Sequence, residues 1–373
     1  MMPWTSIERL VRQLADAERA HATAVDARVS ELSQTVARQP TAKDLRELRQ
    51  AVRALAPADD RQLLDELGRI AASSKPILIG PWTGELGFEL LYWIPFVEWV
   101  RRQWNLTDER QIVISRGGVA SWYRSRESHY ADAFSTLPPD DFRSAVAEQK
   151  RKQRQVTPLD QRLIDGVVGR RGLGEVELLH PRFMFRVFAP FWSDDAGYAR
   201  IDQFTRYRLL DAPGESMPPG LPSDYVAVRF YFSECFPDTA ANRALAHAVV
   251  TSLASRTAVV LLNPGFSVDE HEDWAPAVRD RIHTITDGLT PERNLGVQSA
   301  VISGARAFVG TYGGYAYLAP LHRVPAVAFY SRPTFKRHHL FAAHRAFEQV
   351  EGGALTLVDT AQTPLVRSVI ESV

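Results

Sequence analysis

The amino-acid sequence predicts an α/β protein with two domains that face each other across a cleft, each built on a parallel sheet, behind an N-terminal helical or coiled-coil extension. Three observations carry this prediction. Short apolar segments alternate with loops and helical stretches. That rhythm occurs twice, on either side of the proline- and glycine-rich stretch 212–223. Residues 7–70, which precede the first of these two α/β runs, have helical periodicity instead. We therefore expect a helical arm over 1–72, an α/β domain over 75–211, a linker over 212–223 and a second α/β domain over 224–373.

The composition excludes several classes of protein. The chain has 373 residues, and its 44 Lys and Arg balance 44 Asp and Glu, which argues against a protein that coats nucleic acid. A single cysteine, Cys235, excludes a disulfide framework and a multi-cysteine metal site. No apolar run approaches the roughly 18 residues of a membrane span, and the polar N-terminus has no signal core. We expect a cytoplasmic protein, with peripheral membrane association left open.

The N-terminal arm has a narrow apolar stripe. Ile7, Val11 and Leu14 are spaced four and three apart, and the spacing recurs further along before Pro40 interrupts it. This pattern is typical of a coiled coil or a helical hairpin. Two interpretations stay open: an arm for homo-oligomerisation or partner binding, or an extension packed on its own catalytic body.

The first α/β run begins at Lys75. Residues 76–79 form an apolar strand, 80–87 a glycine-rich turn, 88–104 an aromatic helix that contains Pro95, and 111–115 a second strand followed by a helical stretch. From about residue 140 to 208 the pattern is mostly helical, without strands. The basic run 150–154 is interpreted as a solvated helix face.

The second α/β run follows the linker with the same alternation. The predicted strands cover 225–231, 258–262, 281–286, 307–309 and 326–330, and the predicted helices cover 239–254, 294–303 and 315–322. Asp238 or Thr239 would cap the first of these helices. Two such domains place a ligand site at the carboxyl ends of their strands.

The segment 305–331 carries the strongest signal. A buried strand enters Gly310-Thr311-Tyr312-Gly313-Gly314 and then a helix. Glycines let the backbone approach a ligand, and a helix start offers free N–H groups, so this turn suits a diphosphate, with the Thr311 hydroxyl as a further donor. The alternative is a tight turn whose glycines serve only packing.

This segment resembles the nucleotide-sugar segment of GT-B glycosyltransferases, of the inverting heptosyltransferase-like and fucosyltransferase-like groups. The chain keeps Gly314, Ala319 and Pro325 in register, whereas Tyr312 and Tyr317 stand where the heptosyltransferase pattern has an acid and a histidine. The resemblance is motif-specific over 305–330 and architectural over about 75–344. It implies two Rossmann-like domains, the second of which binds a nucleoside-diphosphate sugar.

The turn after the first predicted strand lies where such enzymes face the acceptor. Glu85 occupies the place of a general base, which takes the proton of the acceptor hydroxyl. Glu89 is the rival, and either acid could instead cap the helix. Trp82 lies in the loop and could stack on a sugar. The residues expected on the acceptor side are Trp82, Gly84, Gly87, Glu89 and Arg116.

Arg229 is a charged residue inside an apolar predicted strand, which is costly unless it is paired. It would hold the diphosphate and stabilise the leaving group. The resemblance supports this role, because fucosyltransferase-like enzymes carry an arginine in this region. The alternative is an ion pair with Asp224, Glu234 or Asp238. The run 336–339 ranks lower as a phosphate contact, and the acidic run 269–273 is interpreted as a solvated loop. The residues expected on the donor side, besides Arg229, are Gly310, Thr311, Tyr312, Gly313, Gly314, Tyr315 and Asn263.

The resemblance implies a metal-independent glycosyltransferase that moves a sugar, with inversion, from a nucleoside-diphosphate sugar to a hydroxyl of a glycan or glycolipid. We expect no cofactor and no metal. Two alternatives stay open: a related sugar-nucleotide epimerase or pyruvyl transferase, and a non-catalytic protein that binds a glycan or a partner.

Overall fold

The computed structural model describes residues 60–148, 153–263, 272–274, 276, 280–286, 289–335, 337–362, 366, 368 and 371. Most of the predicted N-terminal arm lies outside these residues, although 60–72 are helical. The chain divides into two compact units. One comprises Met1–Glu66 with Trp192–Gly197, and the other comprises Leu67–Phe191 with Tyr198–Val373. The second unit contains both sheets.

The first sheet has four strands among the described residues, and every pairing in it is parallel. The order is β3-β2-β1-β4. The strands are β1 (Ile77–Ile79), β2 (Gln111–Ser115), β3 (Tyr130–Asp132) and β4 (Glu177–Leu179). The α-helices around it are α1 (Leu86–Phe88), α2 (Ile94–Gln103), α3 (Pro139–Glu148), α4 (Pro158–Arg171), α5 (Arg182–Trp192) and α6 (Ala199–Phe204).

A π-helical segment, Glu89–Trp93, joins α1 to α2 and makes 86–103 one continuous helical stretch. Pro95 therefore does not break the predicted helix; it occupies the first turn of α2. Short 3₁₀ turns lie at Asp108–Arg110, Ala120–Tyr123, Glu127–His129, Ala133–Ser135 and Pro291–Arg293.

The second sheet has the order β11-β10-β9-β5-β6-β8, and β7 pairs with the end of β5. All its pairings are parallel except that of β7. The strands are β5 (Tyr225–Phe232), β6 (Ala258–Leu261), β7 (Glu272–Trp274), β8 (Ile282–Thr284), β9 (Ala307–Thr311), β10 (Ala326–Tyr330) and β11 (Leu355–Asp359). The helices are α7 (Ala240–Ala254), α8 (Asn294–Ser303), α9 (Gly314–Leu321) and α10 (Arg337–Val350).

The α/β class with two parallel sheets is confirmed. The central strands β1, β2 and β5 are buried along their whole length, as expected when helices cover both faces of a parallel sheet. Thr239 caps α7, because its hydroxyl accepts from the Asn242 N–H at 3.2 Å. The segment 212–223 contains no helix or strand. Its role as a boundary between domains stays a prediction.

The sequence-based expectations missed four strands. β4 lies in the stretch predicted to be without strands, β3 lies in a stretch predicted as helical, and β11 was not predicted. β7 begins at Glu272, inside the acidic run predicted as a solvated loop. Three of these strands have only three residues, and such a length leaves little periodicity to detect.

Candidate functional site

The two loops that the sequence singled out meet in the structure. A Cβ added to Gly314 would lie 2.7 Å from the Leu86 Cβ and 3.0 Å from the Gly87 nitrogen. A Cβ added to Gly87 would lie 3.3 Å from the Tyr317 ring. The beginning of α1 therefore packs directly on the beginning of α9. Close packing therefore accounts for glycine at positions 87 and 314, and their contact with a ligand stays a prediction.

A buried carboxylate, Glu89, organises the polar residues beside the first sheet. Its Oε1 accepts from the Ser115 hydroxyl at 2.7 Å and from the Tyr123 hydroxyl at 2.6 Å. Its Oε2 lies 3.5 Å from Nη1 of Arg116. Burial raises the pKa of Glu89, and Arg116 and the two hydroxyls oppose that shift only in part. Glu89 is fully buried, so its role here is to hold Arg116 and the end of β2.

Glu85 differs from Glu89 in its exposure to solvent. It precedes α1 with an extended backbone, and its side chain makes no capping hydrogen bond to that helix. It is exposed, whereas Glu89, one turn further on, is not. Of the two carboxylates that the sequence offered as general base, Glu85 is therefore the one that an acceptor can reach.

Arg116 connects this cluster to the β1–α1 loop. Its Nη2 donates to the Gly84 carbonyl at 2.7 Å. The next residues, Gly117 and Gly118, have φ of 76° and 77°, a left-handed conformation that favours glycine. The Gly117 carbonyl accepts from the Gly296 N–H of α8 at 2.7 Å. The loop after β2 thus contacts the first turn of α8, on the side of the second sheet.

Arg229 lies in β5 at the centre of a second buried polar cluster. Its Nε and Nη2 donate to the two carboxylate oxygens of Asp273 at 3.0 and 3.1 Å, and Nη1 donates to Oε1 of Gln298 at 2.7 Å. The guanidinium carbon stands 4.2 Å from the centre of the Tyr315 ring, a cation–π contact. The sequence predicted the arginine and the need for a partner, but the partner is Asp273 rather than Asp224, Glu234 or Asp238.

The predicted diphosphate turn is more closely packed than expected. Gly310 belongs to β9, and a Cβ there would lie 2.0 Å from the Arg229 carbonyl oxygen. The Thr311 hydroxyl is fully buried and bonds both backbone groups of Tyr231, at 3.0 and 2.9 Å. A Cβ on Gly313 would meet the Tyr231 hydroxyl. The prediction that Thr311 donates to a phosphate is therefore corrected, because its donor is already used within the sheet.

Tyr312 and Tyr317, which replace an acid and a histidine of the family pattern, bond each other through their hydroxyls. Both rings are buried, and burial raises the pKa of each. They consequently remain neutral and serve as packing rather than as an acid–base pair. Tyr315 stands apart from them, because it faces Arg229.

Of the predicted ligand-contacting residues Asn263 and Trp82, the structure places the first near Asp273 and the second in the core. Asn263 follows β6, and its Nδ2 donates to the Trp274 carbonyl at 2.9 Å, close to the strand that supplies Asp273. Trp82 is 0% exposed and stacks on Trp93 with 6.1 Å between ring centres. The interpretation of Trp82 as a sugar-stacking residue is corrected, since the ring belongs to the core.

Lys336 lies outside the described residues. His339 pairs with Tyr92, whose hydroxyl lies 2.8 Å from Nδ1, and His338 is buried in α10. The run 336–339 is thus used at least partly for packing α10 on the helical stretch 86–103.

Sequence reasoning missed several members of both clusters, namely Ser115, Tyr123, Asp273, Asn294 and Gln298. The pair Asn294 and Gln298 had a detectable signal, because two amides four residues apart lie on one face of a predicted helix and can bond each other, as Nε2 of Gln298 and Oδ1 of Asn294 do. Among the described residues, no group of three or more His, Cys, Asp or Glu side chains is arranged to hold a metal ion. No helix in the part of the chain that the structure describes is long and apolar enough to cross a membrane.

Comparison with known proteins gives structural likeness only. No family model and no curated protein sequence matches the chain. Solved structures with a similar course include TibC from enterotoxigenic E. coli H10407, an iron-containing dodecameric glycosyltransferase, at 14% identity and a TM-score of 0.38 over 80% of this chain and 77% of that one. A second TibC structure, in complex with ADP-D-β-D-heptose and described as a heptosyltransferase, has 13% identity and a TM-score of 0.32 over 80% of this chain and 77% of that one.

A glycosyl transferase of family 9 from Veillonella parvula DSM 2008 gives 11% identity and a TM-score of 0.39 over 81% of this chain and 90% of that one. At these TM-scores the superpositions are too loose to transfer residues or activity. What the protein does has to follow from its own side chains.

Proposed function

We propose that this protein is a glycosyltransferase that moves a sugar, with inversion, from a nucleoside-diphosphate sugar to a hydroxyl of a glycan or glycolipid. The observation that carries the proposal is the buried Arg229, oriented by Asp273 and Gln298 beside the segment 305–330 that resembles the nucleotide-sugar segment of such enzymes. A buried guanidinium held in a fixed plane is costly as a structural device and well suited to a diphosphate.

Arg229 is the donor-side residue of this proposal. The diphosphate contacts the guanidinium at the edge shared with Asp273, whose carboxylate is 21% exposed. As the sugar–phosphate bond breaks, the leaving diphosphate gains negative charge, and the fixed positive charge of Arg229 stabilises it. Tyr315 and Asn263 line the same side in the proposal.

Glu85 is the acceptor-side residue. The acceptor hydroxyl oxygen attacks the anomeric carbon from the face opposite the diphosphate, and its proton passes to the Glu85 carboxylate. The exposure of Glu85 supports this role, and the burial of Glu89 excludes it from direct contact. Arg116 fixes the Gly84 carbonyl immediately before Glu85.

The remaining features of the proposal come from the resemblance and the sequence. The reaction needs no metal and no cofactor, and the enzyme acts in the cytoplasm, with association at a membrane surface if the acceptor is a glycolipid. The N-terminal arm makes it a homo-oligomer; the neighbour TibC is itself described as dodecameric. Light scattering of the full-length chain tests the oligomer, since a monomeric mass would contradict it.

Nucleotide binding is the first test. Thermal shifts of the full-length chain would be measured with UDP, GDP, CDP, ADP and dTDP, for wild type and for Arg229→Lys, which keeps the charge but loses the planar fork. A nucleotide at about 100 times its Kd stabilises the fold by roughly 2.7 kcal/mol. We expect one nucleotide to give this shift in wild type and a much smaller one in Arg229→Lys.

Arg306→Lys is the matched control. Arg306 is exposed and lies at the opposite, amino-terminal end of β9, so its replacement should leave the nucleotide shift intact. The absence of a shift with every nucleotide, or an equal shift in Arg229→Lys, would overturn the donor site.

Glu85→Gln tests the chemistry and separates the alternatives. Removing a general base costs about 10²–10⁴-fold in turnover, while nucleotide binding should be retained. The exposed Glu148→Gln serves as control. An epimerase would instead interconvert sugar nucleotides without an acceptor, and a binding protein would show no turnover in wild type. The buried, mutually bonded Tyr312 and Tyr317 do not favour the epimerase.

A further inference from the structure

Gln153 is a buried side chain that the proposed mechanism does not yet use. The sequence placed it at the edge of a basic run interpreted as a solvated helix face, yet it is only 3% exposed. Its Oε1 accepts from the Thr83 N–H at 3.1 Å. Its Nε2 donates to the Pro81 carbonyl at 2.8 Å. One amide group thus bonds the backbone of the β1–α1 loop at two points, 70 and 72 residues away along the chain.

A fully buried carboxylate holds that amide in place. Asp160 accepts from Nε2 of Gln153 at 2.7 Å through Oδ1. Its Oδ2 accepts from the backbone N–H and the hydroxyl of Thr157, both at 2.8 Å, as part of the capping box of α4. Both carboxylate oxygens are therefore engaged, and the position of Gln153 is set by the first turn of α4.

His180 completes the network from the end of β4. The Arg182 N–H donates to Nδ1 of His180 at 3.0 Å, so Nδ1 is an acceptor and the ring carries its proton on Nε2. That Nε2 lies 3.2 Å from Oδ2 of Asp160 and donates to it. The tautomer is set by the backbone donor. His180 and Asp160 are both fully buried, so neither can contact a substrate directly.

The loop is also held from its other side. The Trp82 N–H donates to the Ile114 carbonyl at 3.0 Å, and the Gly84 carbonyl accepts from Arg116. Pro81 and Thr83 thus bond Gln153, Trp82 bonds β2, and Gly84 bonds Arg116 directly after β2, so each of these four consecutive residues has a bonded backbone group. Glu85 is the next residue, and it is exposed. The position of its backbone is consequently set by this series of hydrogen bonds.

We propose that Gln153 is a positioning residue, oriented by Asp160 and His180, which fixes the loop that presents Glu85 to the acceptor. This inference rests on the proposed function for its catalytic consequence. A base must be held within about 0.5 Å of its productive position, and a misplacement of about 1 Å can cost about 10²-fold in rate. A buried amide whose polar groups all point at one loop and its anchor is suited to that task.

The test compares Gln153→Leu with Gln161→Leu in the full-length chain. Gln161 is the matched control because it is an exposed glutamine of α4 that bonds Asp165. For Gln153→Leu we expect kcat to fall about 10–100-fold, the nucleotide Kd to stay within twofold, and hydrogen exchange at the Thr83 amide to accelerate. The control should change none of these.

Gln153→Glu covers the case in which the leucine variant fails to fold, and it adds a pH readout. At neutral pH the introduced carboxylate still accepts from Thr83, but it cannot donate to Pro81 or Asp160 and it repels Asp160. Protonation restores one donor. Among the residues that the structure describes, Asp160 bonds this position directly and His180 bonds Asp160. The ratio of wild-type to variant kcat should therefore shrink as the pH falls, whereas a loss of packing alone would leave the ratio constant.

The outcomes separate the two proposals. Unchanged exchange at Thr83 in both variants would overturn the role of Gln153 in holding the loop. Faster exchange with unchanged kcat and acceptor KM would overturn its effect on catalysis. A wild-type chain that binds no nucleotide and transfers no sugar would overturn the proposed function instead, while the exchange data would still decide whether Gln153 holds the loop.

Discussion

The polar clusters beside the two sheets surround buried charges of opposite sign. The first is built around a buried carboxylate, Glu89, surrounded by two hydroxyls and Arg116. The second is built around a buried guanidinium, Arg229, which contacts the Asp273 carboxylate, the Gln298 amide and the rings of Tyr315 and Tyr231. The first is closed to solvent, whereas Asp273 leaves the second open at one edge. A cluster without exposed polar groups can only hold neighbouring elements in place, whereas a cluster with an exposed edge can also contact a ligand.

The largest effect on stability is expected for Glu89→Ala. The substitution leaves Arg116 as a buried cation without its carboxylate and removes the acceptor of Ser115 and Tyr123, which should cost about 3–5 kcal/mol. Urea unfolding measures this loss. Glu85→Ala is the control, because an exposed substitution should stay within about 0.5 kcal/mol. Equal losses for the two variants would show that the first cluster is not closed.

Arg229→Ala should destabilise the fold less than Glu89→Ala. Its partner Asp273 is partly exposed and can be hydrated when the guanidinium is removed, so we expect about 1–3 kcal/mol. The same unfolding experiment checks the ranking. A loss as large as that of Glu89→Ala would mean that the second cluster is as closed as the first, and would count against contact between Arg229 and a diphosphate.

The pH dependence of stability should reflect Asp132, which anchors the loop after β2 by accepting from the Gly118 N–H at 2.9 Å. Burial raises its pKa from 3.8 to about 7, against the backbone donors Gly118 and Phe134 and the Tyr130 hydroxyl. Between pH 3.8 and about pH 7 the folded chain holds a proton on Asp132 that the unfolded chain has released, so the free energy of unfolding falls as the pH rises through this window.

Asp132→Asn removes that titration, and the slope of Tm between pH 5 and pH 7 should become smaller than in wild type. Asp165→Asn, an exposed substitution in α4, is the control and should keep the slope. Glu89, whose pKa burial also raises, contributes a slope of the same sign that remains in both variants. An unchanged slope in Asp132→Asn would show that Asp132 is ionised in the folded chain at pH 5.

The smallest effect is expected for Thr311→Val. The substitution preserves shape but removes the hydroxyl that bridges Tyr231 across β5 and β9, which should cost about 1–2 kcal/mol. Nucleotide affinity should not change, because this hydroxyl does not face a ligand. A loss of nucleotide binding at unchanged stability would restore Thr311 to the donor site.

Much of the fold could be predicted because it is local. The strand over 111–115, the helix over 294–303 and the strand over 326–330 match the structure residue by residue. Apolar runs and helical periodicity are properties of neighbouring residues, and a buried parallel strand leaves a continuous apolar run in the sequence. The three-residue strands β3, β4 and β7 were missed because pairing with neighbours, rather than their own pattern, makes them strands.

The candidate site also has a part that could be predicted from the sequence and a part that could not. Arg229, Glu85, Glu89 and Arg116 could be selected from the sequence, because a charge inside or directly after an apolar strand is conspicuous. Which of the two acids is exposed could not be predicted, since they are one helical turn apart and the groups that surround Glu89, at Ser115, Arg116 and Tyr123, lie more than 25 residues further along the chain. The glycines after β9 predicted the turn, but the close packing there could not be predicted, because Leu86 and Tyr231 come from distant parts of the chain.

The alternation of strands and helices, and the charged residues inside the predicted strands, can be recognised from the sequence alone. The partners of the buried polar groups cannot: Arg229 bonds Asp273, 44 residues away, and Gln153 bonds Thr83, 70 residues away. Backbone patterns arise from neighbouring residues, whereas a buried charge or amide bonds whichever group the folded chain brings within hydrogen-bonding distance. No periodicity in the sequence records that distance.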